Sequence, residues 1–161
     1  MKKTLDLQTL CSTIKNLKSC GKKVAATSGC FDIIHAGHVA YLEQARGKAD
    51  ALVVMLNSDS SVKRLKGPER PIVPQEERAA VLCALQSVDY VCVFEQDTPC
   101  SAYALFEPDI IVKGGDYAGK RIPEMDAAAQ WGGKVEYVSL VKGCSSTNII
   151  EKIKGLCGGA K

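Results

Sequence analysis

The two histidines of this 161-residue chain lie in one tetrapeptide, His35-Ala36-Gly37-His38, directly behind Ser28-Gly29-Cys30-Phe31-Asp32-Ile33-Ile34. An apolar stretch ends just before Gly29 and a helical pattern starts just after the pair. Residues at i and i+3 share one face of a helix's first turn, so the spacing puts both imidazoles on one side. The free N–H groups and the positive dipole end at such a place suit an anion. Two imidazoles beside a phosphate cradle point to phosphoryl or nucleotidyl transfer. The same residues have blander uses: a helix cap, or half of a metal site with Cys30 as a third ligand.

The composition limits the alternatives. Apolar residues make up 46% of the chain, charged residues 24%, and the formal net charge is +3, which describes one soluble globular domain with its own core. That charge is too small to argue for nucleic acid or a membrane surface as partner. No apolar run approaches the ~20 residues that cross a bilayer, and the N-terminus lacks the apolar segment of a signal peptide. A cytoplasmic protein is expected. The eight cysteines, at 11, 20, 30, 83, 92, 100, 144 and 157, form no Cys-x-x-Cys pair, so neither a zinc site nor a disulfide framework is predicted. Cys83 and Cys92 fall in segments that read as buried.

The elements that position the histidines alternate regularly. Apolar residues at 5, 7, 10, 14 and 17 predict an amphipathic helix stopped by Gly21. Strands are predicted at 24–27, 51–56, 90–94, 109–113 and 135–140. Helices are predicted at 39–45, 75–86, from a Thr98 cap with Pro99 at its first position to 106, at 125–131, and at 149–154 behind a Ser145–Asn148 cap. Residues 63–71, with four cations, a glycine and two prolines, read as a mobile basic loop. Five strands alternating with helices predict an α/β fold: a single Rossmann-like domain, its five-stranded parallel sheet covered by helices on both faces. Residues 1–22 are expected to pack a helix on the domain, 23–154 to form it, and 155–161 to be a flexible tail.

In this order the landmarks resemble the nucleotidyltransferase superfamily marked by His-x-Gly-His. The nearest branch is the bacterial heptose 1-phosphate adenylyltransferases. The resemblance runs from about Lys23 to Lys154. Gly29 to Val39 carries it first, then Leu56-Asn57-Ser58-Asp59, Lys63-Arg64-Leu65-Lys66-Gly67 and Arg70-Pro71. Val112-Lys113-Gly114-Gly115-Asp116-Tyr117 and Gly143-Cys144-Ser145-Ser146-Thr147-Asn148-Ile149-Ile150 complete it. The Arg-Leu-Lys-Gly, Lys-Gly-Gly-Asp-Tyr and Cys-Ser-x-Thr-Asn runs favour the heptose branch over the cytidylyltransferases. Ile150 stands where many superfamily members carry an arginine on phosphate, and Ser28 where an asparagine is common.

The resemblance implies ATP and a sugar 1-phosphate as substrates, with Mg²⁺ held mainly by the ATP phosphates. It implies that His35 and His38 act on the triphosphate and that Lys66 bridges the two substrates, with Lys63 and Arg70 as substitutes. Gly29, Cys30, Phe31, Gly37, Lys113, Gly114, Gly115, Asp116, Ser146 and Thr147 would bind nucleotide; Asp32, Asn57, Asp59 and Arg70 would bind the sugar phosphate. For Asp32, Asn57 and Asp59 a capping role is the competing reading. A homodimer or higher homo-oligomer is expected, with a separate sugar kinase and phosphatase supplying the substrate. A cytidylyltransferase acting on glycerol or ethanolamine phosphate, and a non-catalytic nucleotide-binding module, are the alternatives.

Overall fold

Inside each central strand the side chains alternate between two dry faces. Ala25, Leu52, Val54, Leu56, Val91, Ile110 and Val112 fall in one buried cluster, while Val24, Ala26, Val53, Met55, Cys92 and Ile111 fall in another. A strand apolar on both faces needs helices on both sides, the arrangement of a parallel sheet fed by crossovers. The computed structural model, which describes residues 3–158, has this architecture.

The first cluster receives Tyr41, Leu42 and Ala45 from α2 (Ala36–Arg46) and Ala79 and Leu82 from α4 (Gln75–Ala84). The second receives Leu10 and Ile14 from α1 (Leu7–Ser19), Ala102, Tyr103 and Phe106 from α5 (Cys100–Phe106), and Ala128 from α6 (Pro123–Ala129). The predicted strands are all present as β2 (Val24–Gly29), β3 (Ala51–Asn57), β4 (Tyr90–Phe94), β5 (Ile110–Gly114) and β6 (Lys134–Val138). A two-residue edge strand, β1 (Lys3–Thr4), pairs with β4 and was not expected. Every pairing is parallel, in the order β1-β4-β3-β2-β5-β6. Aspartates tie the starts of neighbouring strands: Val24 N–H donates to Asp109 at 2.8 Å and Leu52 N–H to Asp89 at 2.8 Å.

The chain lays down β3 and β4 on one side of β2 and then crosses to place β5 on the other. That reversal opens a crevice at the carboxyl ends of β2 and β5, where open α/β sheets bind ligands. Gly29 ends β2 and His35 follows a few residues beyond it, while Lys113 and Gly114 end β5.

Two segments depart from expectation. Residues 63–66 are helical, not loop: α3 (Asp59–Lys66) is capped by Ser58, whose hydroxyl accepts from Ser61 N–H, and it ends at Gly67. The polar sequence hid it, because Ser61 and Val62 alone are buried. The last helix, α7 (Ser146–Gly158), runs four residues beyond the expected stop at Lys154; 159–161 of the expected tail lie outside the described residues. The helix after Thr98 starts at Cys100 with Pro99 as its cap. Among the described residues no helix is long and apolar enough to cross a membrane, and Cys11, Cys20, Cys30, Cys83, Cys92, Cys100 and Cys144 are free.

Candidate active site

His35 is the N-cap residue of α2 and His38 lies in its first turn, so the tight His-x-Gly-His turn brings the rings together. Their centroids are 3.9 Å apart and the planes 22° from parallel. Phe31, held in a left-handed conformation (φ 44°), presents its buried ring to His38 at 5.2 Å. Burial, then the neighbouring imidazole, pushes the His38 pKa down to about 4, the Ile33 carbonyl acting the other way; burial also lowers His35. Both rings are therefore neutral near pH 7. Their buried Nδ1 atoms have no hydrogen-bond partner, an arrangement costly in a folded protein unless a ligand or water completes it.

Two glycines make this packing possible. A Cβ on Gly37 would stand 2.8 Å from the Cys144 Cβ and 3.0 Å from the His35 ring; one on Gly29 would stand 2.9 Å from the Phe31 ring. The free space beside Gly29 thus houses Phe31, and that beside Gly37 admits the segment leading into α7. That segment is tied to the histidine turn a second time, where the Ser146 hydroxyl donates to the Ile33 carbonyl at 3.0 Å. Ser145 caps α7, accepting from Asn148 N–H at 3.0 Å.

These groups open on a cavity of about 850 Å³, within the range of small-molecule sites. Of the residues expected at the site, His35, His38, Lys66, Gly29, Cys30, Phe31 and Gly37 line it. So do Lys113, Gly114, Asp116, Ser146, Thr147, Asp32, Asn57 and Arg70. Gly115 and Asp59 do not. Gly115 starts a short 3₁₀ turn beneath Val138, and Asp59 is turned to Arg78, 2.7 Å from its guanidinium.

Several side chains are committed to the protein itself. Asp32 accepts from Arg70 Nε at 2.6 Å, from Ile72 N–H at 2.8 Å and from Val73 N–H at 2.9 Å. Burial alone would raise its pKa, but these donors outweigh burial and hold it below the usual carboxylate value. Asp32 is therefore a clamp on the segment after α3 and not a free acceptor for a sugar hydroxyl. Asn57 donates to Ser61 Oγ at 2.9 Å. Lys113 pairs with buried Glu124 at 2.7 Å and lies 5.1 Å from the centre of the Tyr117 ring. The Ser146 hydroxyl, spent on Ile33, leaves Thr147 and the backbone N–H groups as the donors of α7.

Arg78 escaped sequence reasoning. It is fully buried, donating through Nε to the Val73 carbonyl at 2.9 Å, through a second nitrogen to the Cys30 carbonyl, and through a third to Asp59. One guanidinium thereby fastens the histidine-bearing turn, the segment after α3 and the first residue of α3. The Gln75-Glu76-Glu77-Arg78 run reads as a solvated helix start; the sole signal was that Arg78 stands four residues from buried Leu82, on the same helix face. Glu124 and Lys142 also line the cavity without having been singled out, and so do Thr98 and Pro99, which were expected as a helix start and not as site residues.

A doubly covered parallel sheet with a stacked histidine pair at its switch point defines a nucleotide-handling α/β enzyme. The family model described as Cytidylyltransferase-like matches residues 26–152, and the chain belongs to that family, whose members are nucleotidyltransferases. Among curated relatives it is 48% identical over 152 residues to the "Bifunctional protein HldE" of Geotalea uraniireducens, covering 94% of this chain and 31% of the relative. It is 52% identical over 133 residues to the protein of that name from Syntrophotalea carbinolica, covering 83% and 27%. The chain thus spans about three-tenths of these relatives' length. A solved structure, the lipopolysaccharide core biosynthesis protein of Thermoplasma volcanium, superposes with a TM-score of 0.61 at 28% identity, covering 77% of this chain and all of that one.

Proposed function

We propose that this protein joins ATP and D-glycero-β-D-manno-heptose 1-phosphate to give ADP-heptose and pyrophosphate, a precursor for lipopolysaccharide or a related glycan. The observation that carries the reading is the stacked, neutral His35–His38 pair with unsatisfied ring nitrogens, opening on a cavity lined by cations. Relatives named for a bifunctional HldE protein and a neighbour titled for lipopolysaccharide core biosynthesis support the substrate class.

A phosphate monoester is largely dianionic near neutrality, its second pKa being about 6, so no general base is needed. A heptose phosphate oxygen attacks the α-phosphorus of ATP, the bond to the β-phosphate oxygen breaks, and pyrophosphate leaves with the electron pair. The protein's task is to hold two polyanions in line and to absorb charge as the α-phosphorus becomes five-coordinate. His35 and His38 donate to the triphosphate, and Lys66, at the end of α3, bridges the two substrates. The α7 N-terminus receives the distal phosphates. Mg²⁺ enters with ATP as part of that substrate, held by phosphate oxygens and water.

The test is pyrophosphate release with each of ATP, CTP, GTP and UTP plus Mg²⁺ against both heptose 1-phosphate anomers, glycerol 3-phosphate and phosphoethanolamine. Release that needs ATP and one heptose anomer is expected. Turnover with CTP and a small alcohol phosphate would assign the cytidylyltransferase reaction instead, and no turnover by folded protein would leave a nucleotide-binding module.

A further inference from the structure

The histidines reach the cavity from α2, on one face of the sheet; α5 and α6 pack on the other face and bring different groups to it. Glu124, in the first turn of α6, is 5% exposed and lines the cavity. Its Oε1 accepts from Lys113 Nζ at 2.7 Å. The other carboxylate oxygen accepts no hydrogen bond among the described residues, and it is not sealed off from the cavity. The ion pair carries no net charge, so it offers a phosphate little attraction, and the open oxygen would repel one. That oxygen can only accept, so its partner is an uncharged donor.

A second observation comes from α5. Tyr103 is completely buried, and its hydroxyl has no hydrogen-bond partner. Burial raises its pKa well above the usual phenol value; the Ser28 hydroxyl next to it works the other way, and the Glu124 charge adds to the rise. Ser28 lines the cavity at the end of β2, so the orphaned phenol stands behind the cavity wall, close to Glu124. A buried phenol O–H needs an acceptor. An alcohol hydroxyl answers both demands: it donates to the carboxylate and accepts from the phenol, directly or through Ser28. An amino group would only donate.

We infer that Glu124, with the Ser28 and Tyr103 hydroxyls, forms a specificity subsite that reads alcohol hydroxyls on the sugar of a bound phosphate ester. This rests on the nucleotidyl-transfer reading, which supplies two such sugars, the acceptor and the ribose of the nucleotide. The acceptor is the expected source, because it carries the larger number of free hydroxyls. Lys113 holds the carboxylate in place; Glu124 and the phenol select the ligand.

The experiment is calorimetric binding of two ligand pairs to the wild type, Glu124→Gln, Tyr103→Phe and, as a surface control on the same helix, Asp126→Asn. One pair is heptose 1-phosphate and cyclohexyl phosphate, a ring without hydroxyls; the other is AMP and 2′,3′-dideoxy-AMP. Gln keeps an oxygen for Lys113 but turns a donor toward the ligand, and Phe removes the phenol hydroxyl alone. Glu124→Gln is expected to weaken heptose 1-phosphate about ten- to a hundredfold and Tyr103→Phe about three- to tenfold, the sizes of a charged and a neutral hydrogen bond. Cyclohexyl phosphate and both nucleotides keep their affinity, and Asp126→Asn changes nothing. A loss confined to AMP and absent with its dideoxy analogue upholds the subsite and assigns it to the ribose. Equal losses within each pair, as a structural role would give, or no loss in any ligand, overturn the inference. A protein that does not bind heptose 1-phosphate refutes the substrate proposal, and the AMP pair then decides the subsite by itself.

Discussion

The histidine pair is costly to bury and useful for that reason. Two imidazoles stacked at 3.9 Å cannot both be charged at low cost, and the His38 pKa of about 4 reflects desolvation first and the neighbour second. A bound triphosphate reverses the balance, since its charge favours imidazolium. ATP binding is therefore expected to take up protons wherever the pH lies between the free and bound pKa values of the pair, and affinity to weaken as pH rises through that window. Titrations in two buffers of different ionisation enthalpy check this; identical apparent enthalpies would refute it. The same shift acts on stability. The unfolded chain protonates near 6.5 and the folded one near 4, so the contribution of His38 is complete above 6.5 and lost as pH falls to about 4. His38→Ala is expected to reduce kcat about 10²–10³-fold, the usual loss for one charge-stabilising donor, with ATP affinity changing far less; quenched-flow turnover beside equilibrium binding separates the two.

At the scale of elements, Arg78 binds α4 to three segments that meet at the cavity. Arg78→Met keeps the stem and removes the donors, leaving two carbonyls and a half-exposed carboxylate without their partner. The expected loss is about 3 kcal/mol, a melting temperature lower by roughly 6–12 °C; a shift below 2 °C in a thermal melt would show that the guanidinium is dispensable. This residue also marks the limit of reading the sequence. The strands were legible because burial on both faces leaves uninterrupted apolar runs such as Ala51–Leu56. The histidine turn was legible because rare residue types stood at a meaningful spacing. The α3 helix was not, its buried face amounting to Ser61 and Val62, though Ser58 before it and Gly67 after it were ordinary start and stop residues. Which acids face substrate was equally hidden: Asp32 and Asp59 look alike in the sequence, and only the fold shows that both already have basic partners.

For the molecule as a whole, strand order puts the site at a crevice between halves of the sheet, so ligand binding should be felt by the entire fold. Mg²⁺-ATP at one hundred times its Kd is expected to add about 2.7 kcal/mol to stability, and CTP at the same concentration clearly less. Denaturant midpoints measured with each nucleotide decide this, and equal shifts would remove the case for adenine preference. The Asp32 clamp carries the last consequence. Ile72 is 54% exposed, yet its N–H and that of Val73 both end on a buried carboxylate. These amides should exchange with deuterium far more slowly than the surface position of the segment suggests, and lose that protection in acid as Asp32 is protonated. The stretch that follows Lys66 is then stiff before any substrate arrives: its loss of freedom belongs to folding, and association with the phosphates need not bear it again.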